Sequence, residues 1–402
     1  MESVELVIIG AGQAGLSVSR EVSDRGIDHI VLEKDRVGAT WRRRWDSFCL
    51  VTPNWATMLP AGPYDGNDPD GYQRRDELVS FLERYANGFN APVRTGIDVE
   101  VLEPEDGAFL LRSADGEMTA KQVVIATGAY QRPHGPPDAD RLRASTPYLD
   151  LDAYRNPQAL PPGAVLVIGS GQSGCQIAEE LNEAGREVFL ACGRISWAPR
   201  RMAGKDLIWW TLQSGWMDMR LADLPSPLAR LTGNVLATGH GGGHDLNLRI
   251  LAGAGVNLVG RYLGVDGPQV RFGDDLEASV AWGDEGHLLV MDRFRRTARE
   301  LGIPFDESDP PGPIPAAATD ALDLSTVGAI INTGGFRPDY GWVRVPGGFD
   351  ELGFPVQVDG ASTVMPGLYF AGVHFLRKRK SSLLCGIAED AAIIANAIAR
   401  HR

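Results

Sequence analysis

A glycine turn that occurs twice constrains this 402-residue chain more than any other feature. In the first copy the apolar run Val4–Ile9 leads into a Gly-x-Gly-x-x-Gly turn at Gly10–Gly15, followed by helical spacing and a second apolar run ending at Glu33. The glycines permit a tight turn, close approach of the backbone to a pyrophosphate, and close packing of helix on strand. The helix N-terminus then faces the phosphates, and Glu33 accepts hydrogen bonds from a ribose. This stretch predicts a dinucleotide-binding βαβ unit.

The second copy has the same order but a different second strand. Val165–Ile168 leads into Gly169–Gly174, and the next apolar run ends at Cys192 without an acidic residue. Arg194 follows directly, and Arg201 lies a few residues later. A carboxylate would repel a ribose 2′-phosphate, whereas arginine pairs with it bidentately. The second unit is therefore predicted to bind NADPH rather than NADH.

Two such units in one chain imply two dinucleotides. FAD in the first and a nicotinamide in the second is the economical interpretation, because the nicotinamide then delivers a hydride to the flavin. Ala126-Thr127-Gly128 and Asn332-Thr333-Gly334 are similar strand ends, which predicts that the last segment returns to the first domain. We expect an α/β fold of two Rossmann-like domains, as in glutathione-reductase-like flavoproteins, with the NADPH domain (153–326) inserted into the FAD domain (1–152 and 327–402).

Apolar periodicity predicts the remaining elements. Strands are expected at Val93–Leu102, Phe109–Arg112 and Met118–Ile125, helices at Arg75–Ala86, Glu277–Leu301 and Gly386–Arg400, a largely helical stretch at 207–231, and a loop at 310–318. The N-terminus of the last helix is expected near the flavin, where its dipole stabilises the negative charge of the reduced ring.

Charge and cysteine spacing exclude several classes of protein. Asp plus Glu number 52 against 39 Lys plus Arg, a formal charge of −13 that argues against binding nucleic acid or an anionic membrane. The four cysteines show no CxxC spacing, so neither a zinc site nor a dithiol redox pair is predicted. No run approaches the ~20 apolar residues of a membrane helix. With the first strand starting almost at the N-terminus, we expect no signal peptide and a cytoplasmic protein.

Three other groups of side chains have two interpretations each. Trp209, Trp210 and Trp216 either pack in a core or line a substrate pocket, and packing is the commoner role. His240 and His244 are separated by glycines rather than by a helical turn, so no metal site is predicted. The basic run 377–380 is either a solvated face or a site for phosphate or an acidic substrate.

Together, the two glycine turns, the 38–45 segment Gly-Ala-Thr-Trp-Arg-Arg-Arg-Trp, the two Thr-Gly strand ends and Gly367–Gly372 resemble the class B flavoprotein monooxygenases. The nearest subset is that of the short bacterial and YUCCA-like flavin-containing monooxygenases. The resemblance implies that NADPH reduces FAD and that O2 adds to the flavin C4a. The resulting C4a-(hydro)peroxyflavin then oxygenates a nitrogen, a sulfur or a carbonyl carbon of a small molecule. The partners expected are the small-molecule substrate and O2, and a homodimer is compatible with this expectation.

The resemblance assigns Asn54 a catalytic role beside the flavin, where it helps to hold the oxygenated cofactor. Thr40 and Trp41 are implied to contact FAD, although two tryptophans around three arginines could equally be an amphipathic turn with packed indoles. The predicted cofactor-binding residues are Gly10, Gly12, Gln13, Ala14, Gly15, Glu33, Lys34, Thr40, Trp41, Trp45, Val99, Thr127, Gly128 and Gly372 for FAD, and Gly169, Ser170, Gly171, Gln172, Ser173, Gly174, Arg194 and Arg201 for NADPH.

One departure keeps other functions open. The family fingerprint carries a histidine before the second glycine turn, where this chain has Asp150. The alternative function is an NADPH oxidase or reductase that passes electrons from FAD to oxygen, a quinone or a partner protein. A third is a flavin- or NADPH-binding sensor without turnover. A disulfide reductase is disfavoured because the CxxC pair is missing.

Overall fold

The computed structural model describes residues 2–305, 311–313 and 315–401. Part of the loop predicted at 310–318 lies outside these residues. The strands are β1 Glu2–Ile9, β2 Ile30–Glu33, β3 Met58–Leu59, β4 Gly62–Pro63, β5 Val93–Thr95, β6 Val101–Glu105, β7 Ala108–Ser113, β8 Gly116–Ile125, β9 Arg132–Pro133, β10 Tyr148–Asp150, β11 Ala164–Ile168, β12 Val188–Ala191, β13 Arg201–Met202, β14 Lys205–Asp206, β15 Asn257–Val259, β16 Tyr262–Asp266, β17 Gln269–Phe272, β18 Ala321–Asp323, β19 Val327–Asn332, β20 Phe336–Arg337, β21 Gln357–Val358, β22 Ala361–Ser362 and β23 Leu368–Phe370.

Helices separate these strands. The α-helices are α1 Gln13–Ser23, α2 Ala39–Arg42, α3 Arg75–Gly88, α4 Ala139–Ser145, α5 Gln172–Glu183, α6 Leu207–Gln213, α7 Leu248–Ala254, α8 Leu276–Leu301 and α9 Ile387–Arg400. Short 3-10 helices lie at Asn54–Ala56, Pro157–Ala159, Trp216–Asp218, Leu221–Asp223, Pro227–Leu231, His240–Gly242, Leu324–Thr326 and Arg379–Ser382.

The first sheet has the order β21-β22-β23-β8-β1-β2-β5. The pairs β23·β8, β8·β1, β1·β2 and β2·β5 are parallel, and β6 and β7 form an antiparallel extension on the N-terminal half of β8. Residues Leu6–Ile9 are all buried, as expected for a parallel strand covered by helices on both faces. Helix α9 lays a fully buried apolar side against this sheet and α1, with Ile387, Ala391, Ile394, Ala395 and Ile398 each at 0% exposure.

The second sheet is wholly parallel, in the order β10-β19-β11-β12-β15. The chain thus contains two Rossmann-like sheets, and the predicted α/β fold class is confirmed. Strand β19 pairs with β10 and β11, so it belongs to the second sheet and not to the first. The inserted domain therefore begins before residue 153 and extends past residue 326, and the chain returns to the first sheet at β21–β23.

The Thr-Gly echo has a different cause from the one predicted. A Cβ added at Gly10 would lie 2.6 Å from the Ala126 carbonyl oxygen, and one at Gly169 would lie 3.0 Å from that of Thr333. Each Thr-Gly thus ends the strand beside its own glycine turn. The repeated Thr-Gly sequence therefore marks two copies of one βαβ unit. It does not mark a return of the chain to the first domain, as its position predicts.

Two other predicted elements differ from the structure. The strand expected at Val93–Leu102 is two strands, β5 and β6, because the segment between them turns away with Gly96 at a φ of +81°. The helical stretch expected at 207–231 is helical only over α6 and then breaks into 3-10 turns, the first after Gly215 at a φ of +68°. In the part of the chain that the structure describes, none of the helices combines the length and the apolar character needed to cross a bilayer.

Candidate functional site

The first glycine turn forms an open cradle at the carboxyl end of β1. A Cβ at Gly15 would lie 1.8 Å from the Gly10 carbonyl oxygen, so only glycine lets α1 pack this closely on the turn. At Gly12, by contrast, no atom lies within 4 Å of an added Cβ. Gly12 is the N-cap of α1 and supplies no side-chain cap, so the first backbone N–H groups of the helix remain available for a phosphate.

Glu33 lies beside this cradle at the end of β2. Its carboxylate accepts hydrogen bonds from the backbone N–H groups of Ala11 (2.7 Å) and Asp35 (3.0 Å), which fix its orientation. The side chain is buried, whereas the neighbouring Lys34 is exposed. Ile97 donates to the Glu33 carbonyl oxygen at 3.1 Å, which brings Val99, two residues further on, to the same strand end. Glu33 and Val99, both predicted to bind FAD, therefore lie at the same strand end.

The segment that follows Gly38 joins the same cradle. The Gly38 N–H donates to the Ala11 carbonyl, and the Trp41 indole N–H donates to the Gln13 side-chain oxygen at 3.0 Å. Thr40 is exposed. Trp45, predicted to contact FAD, instead lies in the core of the second domain with its ring edge against Phe48 at 5.0 Å, which supports a packing role.

Two further strand ends close the first cradle. Gly372 follows β23 with a φ of +71°, and a Cβ there would lie 2.6 Å from the Ala14 Cβ. Thr127 and Gly128 follow β8, where the Gln131 amide donates to the Thr127 hydroxyl oxygen at 2.7 Å and to the Gly128 carbonyl at 3.1 Å. Ligands in such sheets bind beyond the carboxyl ends of the strands, where these residues lie.

The second glycine turn repeats the geometry. A Cβ at Gly174 would lie 1.9 Å from the Gly169 carbonyl oxygen, while one at Gly171 has no atom within 4 Å. Gly171 is the uncapped N-cap of α5, and Ser173 is half-buried in its first turn. Gln172 is held away from the turn by a reciprocal pair of hydrogen bonds with the backbone of Ala237.

Glu33 ends the second strand of the first unit, whereas a hydroxyl group, that of Ser170, binds the chain at the end of the corresponding strand of the second unit. The Ser170 hydroxyl accepts from the Gly193 N–H at 2.9 Å and donates to the Gly193 carbonyl at 3.1 Å. Among the described residues, no carboxylate occupies the end of β12. Arg194 is exposed, and no described residue bonds its side chain. Arg201 donates to the carbonyls of Gly243 (2.9 Å) and Gly242 (3.0 Å), so it braces a glycine loop in this structure.

Asn54 is nearly fully buried in a 3-10 turn, and its carboxamide is already bonded. Its oxygen accepts from the Gln73 N–H at 2.7 Å, and its nitrogen donates to the Asp68 carbonyl at 2.9 Å. The second amide hydrogen has no acceptor among the described residues. Met58 donates to the Leu384 carbonyl, which ties this segment to the chain before α9.

The sequence did not single out a cluster in which the two sheets meet. We call Arg44, Tyr130, Phe336, His374 and Ser382 the junction cluster. The Arg44 guanidinium lies over the rings of Tyr130 (5.1 Å) and Phe336 (6.0 Å), and its buried Nε has no hydrogen-bond partner. The His374 ring meets the Tyr130 ring at 5.2 Å, and its Nδ1 is 3.0 Å from the Ser382 hydroxyl. Their positions could have indicated this cluster from the sequence, because Tyr130, Phe336 and His374 each follow a glycine at the end of a strand.

His374 should make the fold acid-sensitive. Burial, together with the nearby Arg230 charge, lowers its pKa to about 4, whereas an unfolded histidine titrates near 6.5. Between these values the unfolded chain binds a proton that the folded chain excludes. The contribution of His374 to the free energy of unfolding is therefore fully present above pH 6.5. It falls by about 3 kcal/mol as the pH drops towards 4. We expect His374→Gln to show a smaller fall in urea midpoint between pH 7 and pH 4.5 than the wild type.

The exposed His401 supplies the matched control, because His401→Gln removes an imidazole from the chain end. It should keep the wild-type pH dependence. If His374→Gln loses as much stability between the two pH values as His401→Gln, His374 is not the group responsible.

The other titratable clusters have structural partners. His240 pairs with Glu183 at 3.1 Å and His244 with Glu179 at 2.7 Å, and the described residues contain no group of three or more His, Cys, Asp or Glu side chains placed to hold a metal. The four cysteines are buried free thiols. Burial raises the pKa of Cys49 and of Cys385 to about 11, which leaves both in the unreactive thiol form at neutral pH.

The N-terminus of α9 carries its own acids. Glu389 and Asp390 lie in its first turn, and Arg377 pairs with both, at 3.1 and 3.0 Å. Burial raises the pKa of Asp390. Stabilisation of a reduced flavin by this helix stays a prediction.

Both cradles fit a dinucleotide pyrophosphate, because each combines an uncapped helix N-terminus with space at the central glycine and no acidic residue in the first turn. The first, with Glu33, suits FAD. The second, with Arg194 and no carboxylate, suits NADPH.

The sequence of this chain is similar to those of known proteins. The sequence model of the pyridine nucleotide-disulphide oxidoreductase family matches residues 7–213. An uncharacterized oxidoreductase of Geobacillus kaustophilus, described as CzcO-like, is 30% identical over 400 residues, 99% of each chain. The indole-3-pyruvate monooxygenase YUCCA1 of Oryza sativa subsp. japonica is 29% identical over 204 residues, 49% of this chain and 50% of that protein.

A solved structure has the same fold. The flavin-containing monooxygenase from Stenotrophomonas maltophilia superimposes with a TM-score of 0.69 at 18% identity, covering 100% of this chain and 99% of the other. The chain therefore belongs to the pyridine nucleotide-disulphide oxidoreductase family, and its relatives place it with the class B flavoprotein monooxygenases, flavin-dependent enzymes with FAD and NADPH as cofactors.

Proposed function

We propose that this protein is an NADPH-dependent FAD monooxygenase that transfers one oxygen atom of O2 to a nitrogen, a sulfur or a carbonyl carbon of a small molecule. The observation that carries the proposal is the pair of open, uncapped cradles, one on each sheet, whose strand ends converge on the junction cluster. FAD, when bound, supplies the chemistry, since it accepts a hydride from NADPH and activates oxygen.

The protein residues hold and enclose the reacting groups. The N-termini of α1 and α5 bind the two pyrophosphates, Glu33 binds the ribose of FAD, and Arg194 binds the 2′-phosphate of NADPH. The hydrogen bond between Trp41 and Gln13 fixes an indole beside the first glycine turn. Asn54 would act beside the flavin through its second amide hydrogen, which has no acceptor among the described residues.

The proposal is tested by following the oxygen atoms. The FAD-loaded protein is first mixed anaerobically with NADPH, and bleaching of the flavin absorbance is expected. It is then turned over under ¹⁸O2 with thioanisole, N,N-dimethylbenzylamine and phenylacetone, one probe for each acceptor atom. Label in a product supports a monooxygenase. Peroxide equal to the NADPH consumed, with no labelled product from any probe, contradicts it.

The second candidate is an NADPH oxidase or reductase, and the surroundings of Asp150 favour it. Asp150 stands where the family fingerprint has histidine, and its carboxylate binds Asn332 at 2.8 Å and Arg143 at 2.9 Å. It thereby joins β10, β19 and α4, which is a structural role. The peroxide yield of the same experiment decides between the two candidates.

Arg194 should determine which nicotinamide dinucleotide is used. We expect Arg194→Ala to raise the Kd of NADPH roughly 10-fold and to leave that of NADH unchanged, because an exposed charged hydrogen bond to the 2′-phosphate is lost. The two values are measured by titration of the FAD-loaded protein. Arg201→Ala is the comparison variant. A normal NADPH preference in Arg194→Ala combined with a lost preference in Arg201→Ala would move the phosphate contact to Arg201.

A further inference from the structure

The basic run 377–380 contains one arginine that differs from its neighbours. The other three cations all reach carboxylates: Arg377 pairs with Asp359, Glu389 and Asp390, and Lys378 and Lys380 both pair with Asp218 and Glu389. Arg379 has no carboxylate within ion-pair distance among the residues that the structure describes. The two interpretations of this run therefore apply to different residues within it.

Arg379 is partly buried between aromatic rings. Its guanidinium carbon lies 4.0 Å from the centroid of the Trp216 ring and 4.9 Å from that of Phe375. One terminal nitrogen donates to the Asn234 side-chain oxygen at 3.2 Å, while the buried Nε has no partner among the residues that the structure describes. Leaving a buried donor of a cation unpaired is costly, so a missing acceptor is indicated. Burial, with the nearby Arg293 charge, lowers the pKa of Arg379 to about 10, which leaves it positive at neutral pH.

Arg293 is a second cation that has no carboxylate partner among the described residues. It projects from α8, and no described carboxylate pairs with it, whereas Arg295 and Arg296 of the same helix pair with Asp292. Two like charges repel each other unless an anion is held between or beside them. Among the described residues, Arg379 and Arg293 therefore carry positive charge without a carboxylate partner, although the chain has a formal charge of −13.

The segments that carry Arg379 and its partner Asn234 lead to the two cradles. Three residues after Arg379, the Ser382 carbonyl accepts from the Gln13 side chain in the first glycine turn, at 3.4 Å. Three residues after Asn234, the Ala237 backbone is bonded to Gln172 in the second turn. Arg379 and Asn234 thus each lie three residues from a residue that bonds one of the two glycine turns, near the sites between which a substrate has to meet the flavin.

We propose that Arg379, assisted by Arg293, anchors the carboxylate of the substrate, so that this enzyme acts on an organic acid. The inference rests on the proposed function in taking the bound anion to be the substrate. An arginine guanidinium recognises a carboxylate through paired N–H donors, and Asn234 together with the rings of Trp216 and Phe375 fixes the guanidinium plane. The other source of an anion at this place is a phosphate of NADPH.

The test compares acids with their neutral amides. The FAD-loaded protein is titrated calorimetrically with phenylacetate and hexanoate, and with phenylacetamide and hexanamide, in the presence of NADP⁺. We expect each acid to bind the wild type at least about 10-fold more tightly than its amide. Arg379→Met keeps an apolar stem between the rings and should abolish this preference, with FAD content unchanged. Arg293→Met, at a half-buried position, should reduce it.

Lys380→Met is the matched control. It also removes one positive charge, at the position next to Arg379, but Lys380 already has the carboxylate partners Asp218 and Glu389. It should keep the acid preference. Equal binding of acid and amide by the wild type, or an unchanged preference in both arginine variants, overturns the inference. A loss of NADPH affinity in Arg379→Met with the acid preference intact also overturns it and assigns the guanidinium to the nucleotide. None of these binding measurements needs oxygen transfer. A failure of this inference can therefore be distinguished from a failure of the monooxygenase proposal, which the ¹⁸O2 experiment tests.

Discussion

Gly12→Asp is expected to yield a folded protein that no longer retains FAD. No atom of the described residues lies within 4 Å of the new Cβ, so the chain leaves room where the side chain begins. The substitution does place a carboxylate at the N-terminus of α1, where the pyrophosphate binds. Repulsion between charges about 4 Å apart in a partly buried site costs about 4 kcal/mol, or roughly 1,000-fold in Kd. The bound flavin is quantified by absorbance after gel filtration.

Gly88→Asp adds the same side chain at an exposed glycine that also has no atom within 4 Å of its Cβ position. This control should remain yellow. A Gly12→Asp protein with a normal flavin content would refute the assignment of the first cradle.

Gly171→Asp should have the opposite phenotype. The new carboxylate lies at the uncapped N-terminus of α5, again without a contact in the chain, so it should block NADPH by about the same factor of ~1,000. The protein should remain yellow because the first cradle is untouched. NADPH should no longer bleach the flavin, whereas dithionite, which needs no nucleotide site, should reduce it normally.

The Gly12→Asp and Gly171→Asp variants together assign the two cofactors. If the Gly171→Asp protein lost flavin while the Gly12→Asp protein kept it, the order of the sites would be reversed. If dithionite also failed to reduce the Gly171→Asp protein, the substitution would have disturbed the flavin itself and not the hydride donor.

The chemistry of the glycine turns was readable from the sequence because it depends on local backbone sterics. Gly10, Gly15, Gly169 and Gly174 occur where a Cβ would meet a carbonyl oxygen, and Glu33 ends a strand of fixed length beside the first turn. The position of α9 was likewise predicted from its apolar spacing. In each case the deciding contacts join residues of one βαβ unit or one helix.

Contacts between distant segments were not readable in this way. Trp45 is adjacent to the FAD-binding stretch in sequence but packs in the core of the second domain. Arg201 carries the charge that a 2′-phosphate needs, yet it braces the carbonyls of Gly242 and Gly243. The basic run 377–380 is uniform in sequence, and only its surroundings separate Arg379 from three cations with carboxylate partners.

The sequence by itself thus determined the two dinucleotide units, their order and the cofactor expected in each, because glycine conformation and strand-end chemistry are local properties. Only the tertiary structure decided that β19 belongs to the second sheet and that Tyr130, Phe336 and His374 meet between the sheets. It also decided that Arg379 has no carboxylate partner among the described residues. Strand pairing and charge pairing join residues hundreds of positions apart, and no local pattern specifies which partner each residue will meet.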